Sequence, residues 1–438
     1  MSFPCYAKYK PSGVEWLGDV PEGWEVKPFK YNLLLLTEKT DRRERPVALE
    51  NIEGWTGRFI PTETEFQGEG IAFDAGDILF GKLRPYLAKA YLAESSGEAV
   101  GDFHVLRPVE GINSRFAQYE ILNREFISIV DGSTFGSKMP RASWEFIGGM
   151  KVTTPPLPEQ IAIAAFLDRE TAKIDGLVAE QRRLMELLKE KRQAVISHAV
   201  TKGLNARAPM KPSGIEWLND IPAHWRVVSF KHLARAGAKS FTDGDWIEAP
   251  YITSNGVRLL QTGNVGIGNF KEQGFRYVSE ETFNELQCTE VNPRDVLICR
   301  LDGPVGRACL APDLGVRMIT SVDNAILKVA DDVMPEFVVA LLSSVPWISW
   351  IDALCRVGGG FRLRISRSQL GEIRVPLPPL EEQLVIRERL GSLGNEFDTL
   401  AAEAQRAIDL LQERRTALIS AAVTGQIDVR KVTNIKTA

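Results

Sequence analysis

The chain is one unit written twice, and that repeat constrains its fold more than any other feature. Residues 10–30 read KPSGVEWLGDVPEGWEVKPFK, and residues 211–231 read KPSGIEWLNDIPAHWRVVSFK, at a constant offset of 201. The match pairs Trp16 with Trp217, Pro21 with Pro222, Trp24 with Trp225 and Phe29 with Phe230. Further on, GDILFGKLRPYLAKAYLA (76–93) matches RDVLICRLDGPVGRACLA (294–311) at offset 218, pairing Asp77 with Asp295, Lys82 with Arg300 and Lys89 with Arg307. Each unit then closes on PPLPEQIAIAAFLDRE from Pro155 or PPLEEQLVIRERLGSL from Pro378, and offset 223 holds to AVISHAVT (194–201) against ALISAAVT (417–424). A repeat of this size means two copies of one architecture. The ends of the units resemble each other strongly and the bodies weakly, so a shared scaffold carries divergent contents.

Each body consists of short apolar runs punctuated by glycine and proline: DILF, KAYLA and DFHVLRP in the first, DVLICR, GRACLA and NAILKV in the second. Such runs predict strands, mixed with short helices such as Arg115–Val130. The segments after Pro158 and Pro379 predict helices of about 40 residues, with proline at the start and glutamate in the first turn. Both carry a seven-residue seam. Leu167, Ile174, Gln181, Leu188 and Val195 mark it in the first, and Leu390, Phe397, Ala404, Leu411 and Leu418 in the second. Leu177 and Leu184, matched by Leu400 and Ala407, are read as the other heptad position. A heptad seam flanked by Arg, Lys and Glu is a coiled-coil signal. Matching seams in both copies favour mutual packing over each helix merely covering its own body. Gln181 either sets the register or is a tolerated polar residue.

Composition narrows the functional classes. No apolar run reaches the roughly 18 residues that span a bilayer, and MSFPCYAKYK lacks the apolar stretch of a signal peptide, so a cytoplasmic location is expected. The five cysteines form no CxxC pair and only four histidines occur, which argues against disulfides and metal sites. A net charge of −4 argues against a general basic surface. Gly76–Leu83 nearly fits a phosphate loop but lacks its final hydroxyl, its interior reads as a strand, and the second copy has Arg294 and Cys299 in place of the glycines. Gly358-Gly359-Gly360 reads as a flexible turn compatible with a nearby phosphate. No Asn/Asp-Pro-Pro-aromatic segment, S-adenosylmethionine turn or nucleophile elbow stands out. His104 reads as a satisfied or DNA-facing residue, and Trp16, Trp24, Trp217 and Trp225 as packing anchors.

KPSGVEWLGDVPEGWEV, then PPLPEQ leading into a long helix, then both again, resembles the specificity subunit of type I restriction-modification systems. The resemblance runs from about Tyr9 to Arg430 and includes the closing AVTGQIDVR. It implies an α+β fold: two α/β target recognition domains separated by two long antiparallel coiled-coil helices, in a pseudo-two-fold repeat. The corresponding domains are 1–155 and 205–377 for recognition, 156–204 and 378–425 for the helices, and 426–438 for a tail. It also implies a non-catalytic chain whose bodies each read one half of a split double-stranded DNA target, with the helices as a ruler. Two modification subunits that methylate adenine flank such a chain, and restriction subunits with ATP-driven translocation can join them. S-adenosylmethionine, ATP and magnesium then belong to those partners, and this chain holds no cofactor. The alternatives are the specificity chain of a combined nuclease–methylase, or a coiled-coil assembly protein with two non-DNA ligand modules.

Repeat geometry is compatible with such a reader. Half-sites about one turn apart lie roughly 34 Å from each other, and a 40-residue helix is about 60 Å long. Candidate DNA contacts are Lys82, Arg84, Lys89, Ser137, Lys138 and Arg141 in the first body, and Arg300, Arg307, Arg362, Arg364 and Arg367 in the second, all cations but the serine. Arginine can grip guanine or phosphate with paired donors.

Overall fold

A computed structural model describes residues 3–40, 45–62, 68–134, 136, 138–237, 239–357 and 362–431. The chain divides into two compact units, Met1–Arg182 with Gln405–Ala438, and Arg183–Ala404.

In unit 1 the central sheet has strands β1 (Leu33–Leu36), β2 (Ile78–Gly81), β3 (Ala90–Leu92) and β4 (Phe103–Pro108), in the order β1-β4-β2-β3 and antiparallel throughout. All four residues of β2 are buried, so the stretch that resembled a phosphate loop is a core strand. Helices α1 (Ser114–Ile121), α2 (Arg124–Gly132) and α3 (Trp144–Gly149) complete the body. The single helix expected over Arg115–Val130 is two, because Asn123 turns extended and its side chain caps the Glu125 N–H of the second.

Unit 2 repeats the plan. Strands β5 (Phe241–Asp243), β6 (Val296–Cys299), β7 (Ala308–Leu310) and β8 (Asn324–Leu327) lie in the order β5-β8-β6-β7, again antiparallel. Helices α5 (Pro335–Leu342), α6 (Val345–Val357) and α7 (Arg367–Glu372) follow. Phe337, Leu341, Leu342, Trp347 and Ile351 of α5 and α6 are core residues. Among the described residues no single helix is long and apolar enough to cross a membrane.

The repeated motifs have structural jobs. Asp77 is buried, accepts the Asp74 N–H at 2.8 Å and receives Arg107 on both oxygens, at 2.8 and 2.7 Å. Asp295 likewise accepts the Asn292 N–H at 2.8 Å, with Lys328 at 3.6 Å. The aspartate therefore closes the turn before the central strand in both copies. The glutamine of PPLxEQ is equally specific. Gln160 donates to the carbonyls of Pro155 and Gly111 and accepts from the Asn113 N–H. Gln383 donates to those of Pro378 and Asp332 and accepts from the Met334 N–H. Each fully buried carboxamide ties the start of a long helix to the start of a body helix, satisfying backbone groups that burial would otherwise leave unpaired. Trp24 and Trp225 are 1% exposed and act as packing anchors.

The long helices are α4 (Leu157–Lys202, 46 residues) and α8 (Leu380–Val423, 44 residues). The first begins one residue before Pro158, which therefore sits inside its opening turn. In unit 1 Ile163, Phe166 and Leu167 cluster with Leu418, Ala422 and Val423, while Asp175 pairs with Arg415. In unit 2 Ala199 and Val200 share a core with Ile386, and Arg192 pairs with Asp398. Rising numbers on one helix meet falling numbers on the other in each unit, so the segments within each run antiparallel.

Leu167, Ile174, Phe397, Ala404 and Leu418 are buried, while Gln181, Leu188, Val195, Leu390 and Leu411 are partly buried. The second stripe lies one residue further on than expected. Leu177, Leu184 and Leu400 are exposed and Ala407 is partly buried, whereas Thr171, Val178, Ala199, Ile408, Arg415 and Ala422 are buried. Each helix must face both a partner helix and a body, and the wider i, i+4 stripe serves two neighbours where a bare a/d seam serves one.

Candidate nucleic-acid interface

Lys82, Arg84 and Arg141 of the first body, and Arg300, Arg362 and Arg364 of the second, meet where β2 or β6 leaves the sheet. In unit 1 the Lys82 N–H donates to the Asp102 carbonyl at 2.9 Å, the Arg84 N–H to Pro140 at 2.9 Å, and the Ala142 N–H to Lys82 at 3.0 Å. In unit 2 the same three bonds are Arg300 to Asp323 at 2.8 Å, Asp302 to Leu363 at 2.9 Å, and Ile365 to Arg300 at 3.1 Å. Matching bridges, Leu83 with Arg141 and Leu301 with Arg364, sit beside them. The backbone frame is thus the same, and the side chains on it differ.

On the unit 1 frame, Arg141 donates through Nε and Nη2 to both oxygens of Asp102, each at 2.9 Å, with Lys82 Nζ at 3.8 Å. The Asp102 carboxylate raises the Arg141 pKa, chiefly through these hydrogen bonds. Arg84 is exposed at a left-handed φ of 51° and makes no side-chain hydrogen bond or ion pair among the described residues. Lys138 is exposed. Ser137 lies outside the described residues, as does the Gly358–Gly360 run. Lys89 points away from this edge. Its Nζ donates to the Leu49 carbonyl at 2.6 Å, and burial lowers its pKa.

On the unit 2 frame, Arg362 pairs with Asp302 at 2.7 Å and Arg364 with Asp323 at 3.5 Å. Arg367 reaches the Phe241 carbonyl at 3.1 Å and Asp243 at 3.4 Å. Two residues serve the interior instead. Arg300 is 4% exposed, lies 3.0 Å from Asp243 and donates to the carbonyls of Ile365 and Val322. Burial lowers its pKa. Arg307 donates to four carbonyls, those of Val265, Asp302, Pro304 and Thr262, at 2.6 to 2.9 Å. Its donors are thereby committed to holding its own loops. Lys82 and Arg300 are matched in sequence, yet one side chain is 31% exposed and the other 4%.

The sequence reading missed the acidic partners of these cations, namely Asp102, Asp243, Asp302 and Asp323. The signal was present, because Asp102 and Asp323 each stand just before the strands FHVL and NAIL. His104 is a satisfied residue, with its ring Nε2 3.0 Å from the Ala142 carbonyl, and burial lowers its pKa.

Two α/β bodies, each followed by a long helix and each with the same frame at the C-terminal end of its central strand, define a duplicated recognition scaffold. The Methanocaldococcus jannaschii type I restriction enzyme MjaVIII specificity subunit is 22% identical over 82% of this chain and 78% of its own length. The Escherichia coli K12 EcoKI specificity subunit is 23% identical over 94% of this chain and 90% of its own. Among solved structures, the HsdS subunit from Thermoanaerobacter tengcongensis aligns over 93% of this chain and 98% of its own, at 17% identity and a TM-score of 0.53. A chain from a structural study of type I R-M complex assembly aligns over 92% and 98%, at 18% identity and a TM-score of 0.64. No protein-family model matches the chain. Over most of its length the chain is thus similar in sequence to type I restriction enzyme specificity subunits and shares the fold of a solved HsdS subunit.

Proposed function

We propose that this chain recognises a bipartite double-stranded DNA target and directs modification and restriction subunits to it, without catalysing a reaction itself. Residues 1–155 and 205–377 are the two readers, 156–204 and 378–425 the helices that space them, and 426–438 a tail. The observation that carries this reading is the shared frame with different side chains, which suits two readers with two different half-sites. Arg84, Lys138 and Arg141 supply donors in the first reader, and Arg362, Arg364 and Arg367 in the second. Arginine and lysine serve phosphates and guanine edges alike. Arg300 and Arg307 support the frame of the second reader, and Lys89 is spent on a carbonyl away from it. Two modification subunits flank the chain, S-adenosylmethionine, ATP and magnesium are used by partner subunits, and the assembly works in the cytoplasm.

The test is methylome sequencing of a strain with and without this chain, its modification partner being present in both. Adenine methylation at a split, asymmetric motif should appear only with the chain. Methyl transfer by the purified chain alone, or the same motif without it, refutes the proposal.

A further inference from the structure

We propose that residues 84 and 302 determine which base edge each reader accepts: guanine through Arg84 in unit 1, and an exocyclic amine of adenine or cytosine through Asp302 in unit 2. This inference rests on the DNA-reading function above and names its chemistry.

The two residues occupy one position of the shared frame. Each follows the matched Lys82-Leu83 or Arg300-Leu301, has a left-handed φ of 51° or 53°, and donates its N–H to the matched carbonyl of Pro140 or Leu363. Their side chains therefore leave the frame from the same place. One residue back from those carbonyls stand Met139, 49% exposed, and Arg362, whose side chain is 64% exposed. Between the copies, the guanidinium has moved from the first position to the second, and a carboxylate has taken its place. In unit 2 the two groups touch, with Arg362 Nη2 2.7 Å from Asp302 Oδ2.

That exchange changes what the edge can recognise. Arg84 has only donors to offer and no acceptor. Its paired donors fit O6 and N7 of guanine, and it has nothing to offer an exocyclic amine. Asp302 adds an acceptor beside the remaining donors of Arg362. An acceptor flanked by donors complements an amine next to N7, as in adenine, or the N4 amine of cytosine with its paired guanine. The sequence alignment presents this as an uncompensated Arg-to-Asp difference. Only the frame shows that a compensating arginine stands next to it.

The full chain with its modification subunit tests this by methylome sequencing of Arg84→Gly, Asp302→Gly and the double variant Arg84→Asp/Met139→Arg. Glycine tolerates the left-handed φ at both positions, so the frame is kept. Arg84→Gly should relax one guanine in one half-site, by roughly 5- to 150-fold in discrimination, and leave the other half-site intact. Asp302→Gly should relax one adenine or cytosine in the opposite half. The double variant should replace the guanine requirement with one for an amine-bearing base.

Variants too weak for a methylome readout are measured by competition between substituted duplexes. An unchanged motif, or a uniform loss across all duplexes with a flatter salt dependence, overturns the inference, since uniform loss marks a phosphate contact. A wild-type complex without any split motif instead overturns the functional proposal.

Discussion

Arg192 and Arg415 are equivalent residues of the repeat, yet their removal should have very different costs. Each stands on the inner stripe of a long helix and pairs with the equivalent aspartate, Asp398 or Asp175. The Arg415 side chain is 9% exposed, and besides Asp175 Oδ1 at 3.2 Å it donates to the Trp55 carbonyl at 2.6 Å. Trp55 has a φ of 66°, so the bond also anchors a left-handed, non-glycine turn. Arg415→Met keeps much of the side-chain bulk but leaves that carbonyl and Asp175 without their donor. A hydrogen bond to a charged group is worth about 1.5–3 kcal/mol, and breaking a buried pair costs about 3–5 kcal/mol. Asp175 is 32% exposed and stays partly hydrated, which places the loss at about 2–3 kcal/mol. For a unit of this size that is a fall in Tm of about 4–12 °C. In the Arg192–Asp398 pair the side chains are 43% and 65% exposed, and such a surface pair contributes about 0–1 kcal/mol. Thermal and urea unfolding of both single variants, with a double-mutant cycle through Asp175→Asn, measures the difference. Equal losses for Arg415→Met and Arg192→Met would refute the claim that burial, not the repeated sequence, sets the cost.

Other outcomes follow from the same geometry. Lys89→Met and Arg307→Ala should change stability while leaving the salt dependence of DNA binding by folded complex unaltered; a salt slope lowered by about one unit would return them to the DNA surface. Replacing residues 31–150 with the body of a related chain should change one half of the methylated motif only, and a change in both halves would exclude independent readers. Matched heptads inserted between Leu177 and Leu188 and between Phe397 and Leu411 add about 10 Å to each helix. They should lengthen the spacer by roughly three base pairs with both half-sites kept; an active variant with its original spacer would show that the helices are not the ruler. His104 has a folded pKa held below its usual 6.5 by burial, so the unfolded chain takes up a proton first as pH falls. Stability should therefore decline below roughly pH 6.5, and His104→Gln should lessen that decline in acid unfolding curves; identical pH profiles would show that His104 does not carry it.

The architecture was legible in the sequence because its determinants are local and occur twice. Alternation and heptad spacing reflect backbone geometry, the turn-closing aspartate accepts an N–H from three residues before it, and the PPLxEQ glutamine stands at a fixed distance from its prolines in both copies. Two copies separate such scaffold residues from the rest. The repeat therefore announced two bodies and two long helices, and the central sheets share one strand order. Burial is a different matter, because it depends on which distant segment arrives next to a side chain. Lys82 and Arg300, or Arg192 and Arg415, match in sequence and differ in exposure. The helix stripe shifted from Leu177 to Val178 because a body as well as a helix lies against it. Asp102 and Asp323 became partners of candidate cations only when the fold set them beside Arg141 and Arg364. Sequence alone determined the repeat, the element types and the candidate cations. Tertiary structure decided which cations face outward and which are spent on carbonyls, since desolvation and pairing are properties of a neighbourhood and not of a residue.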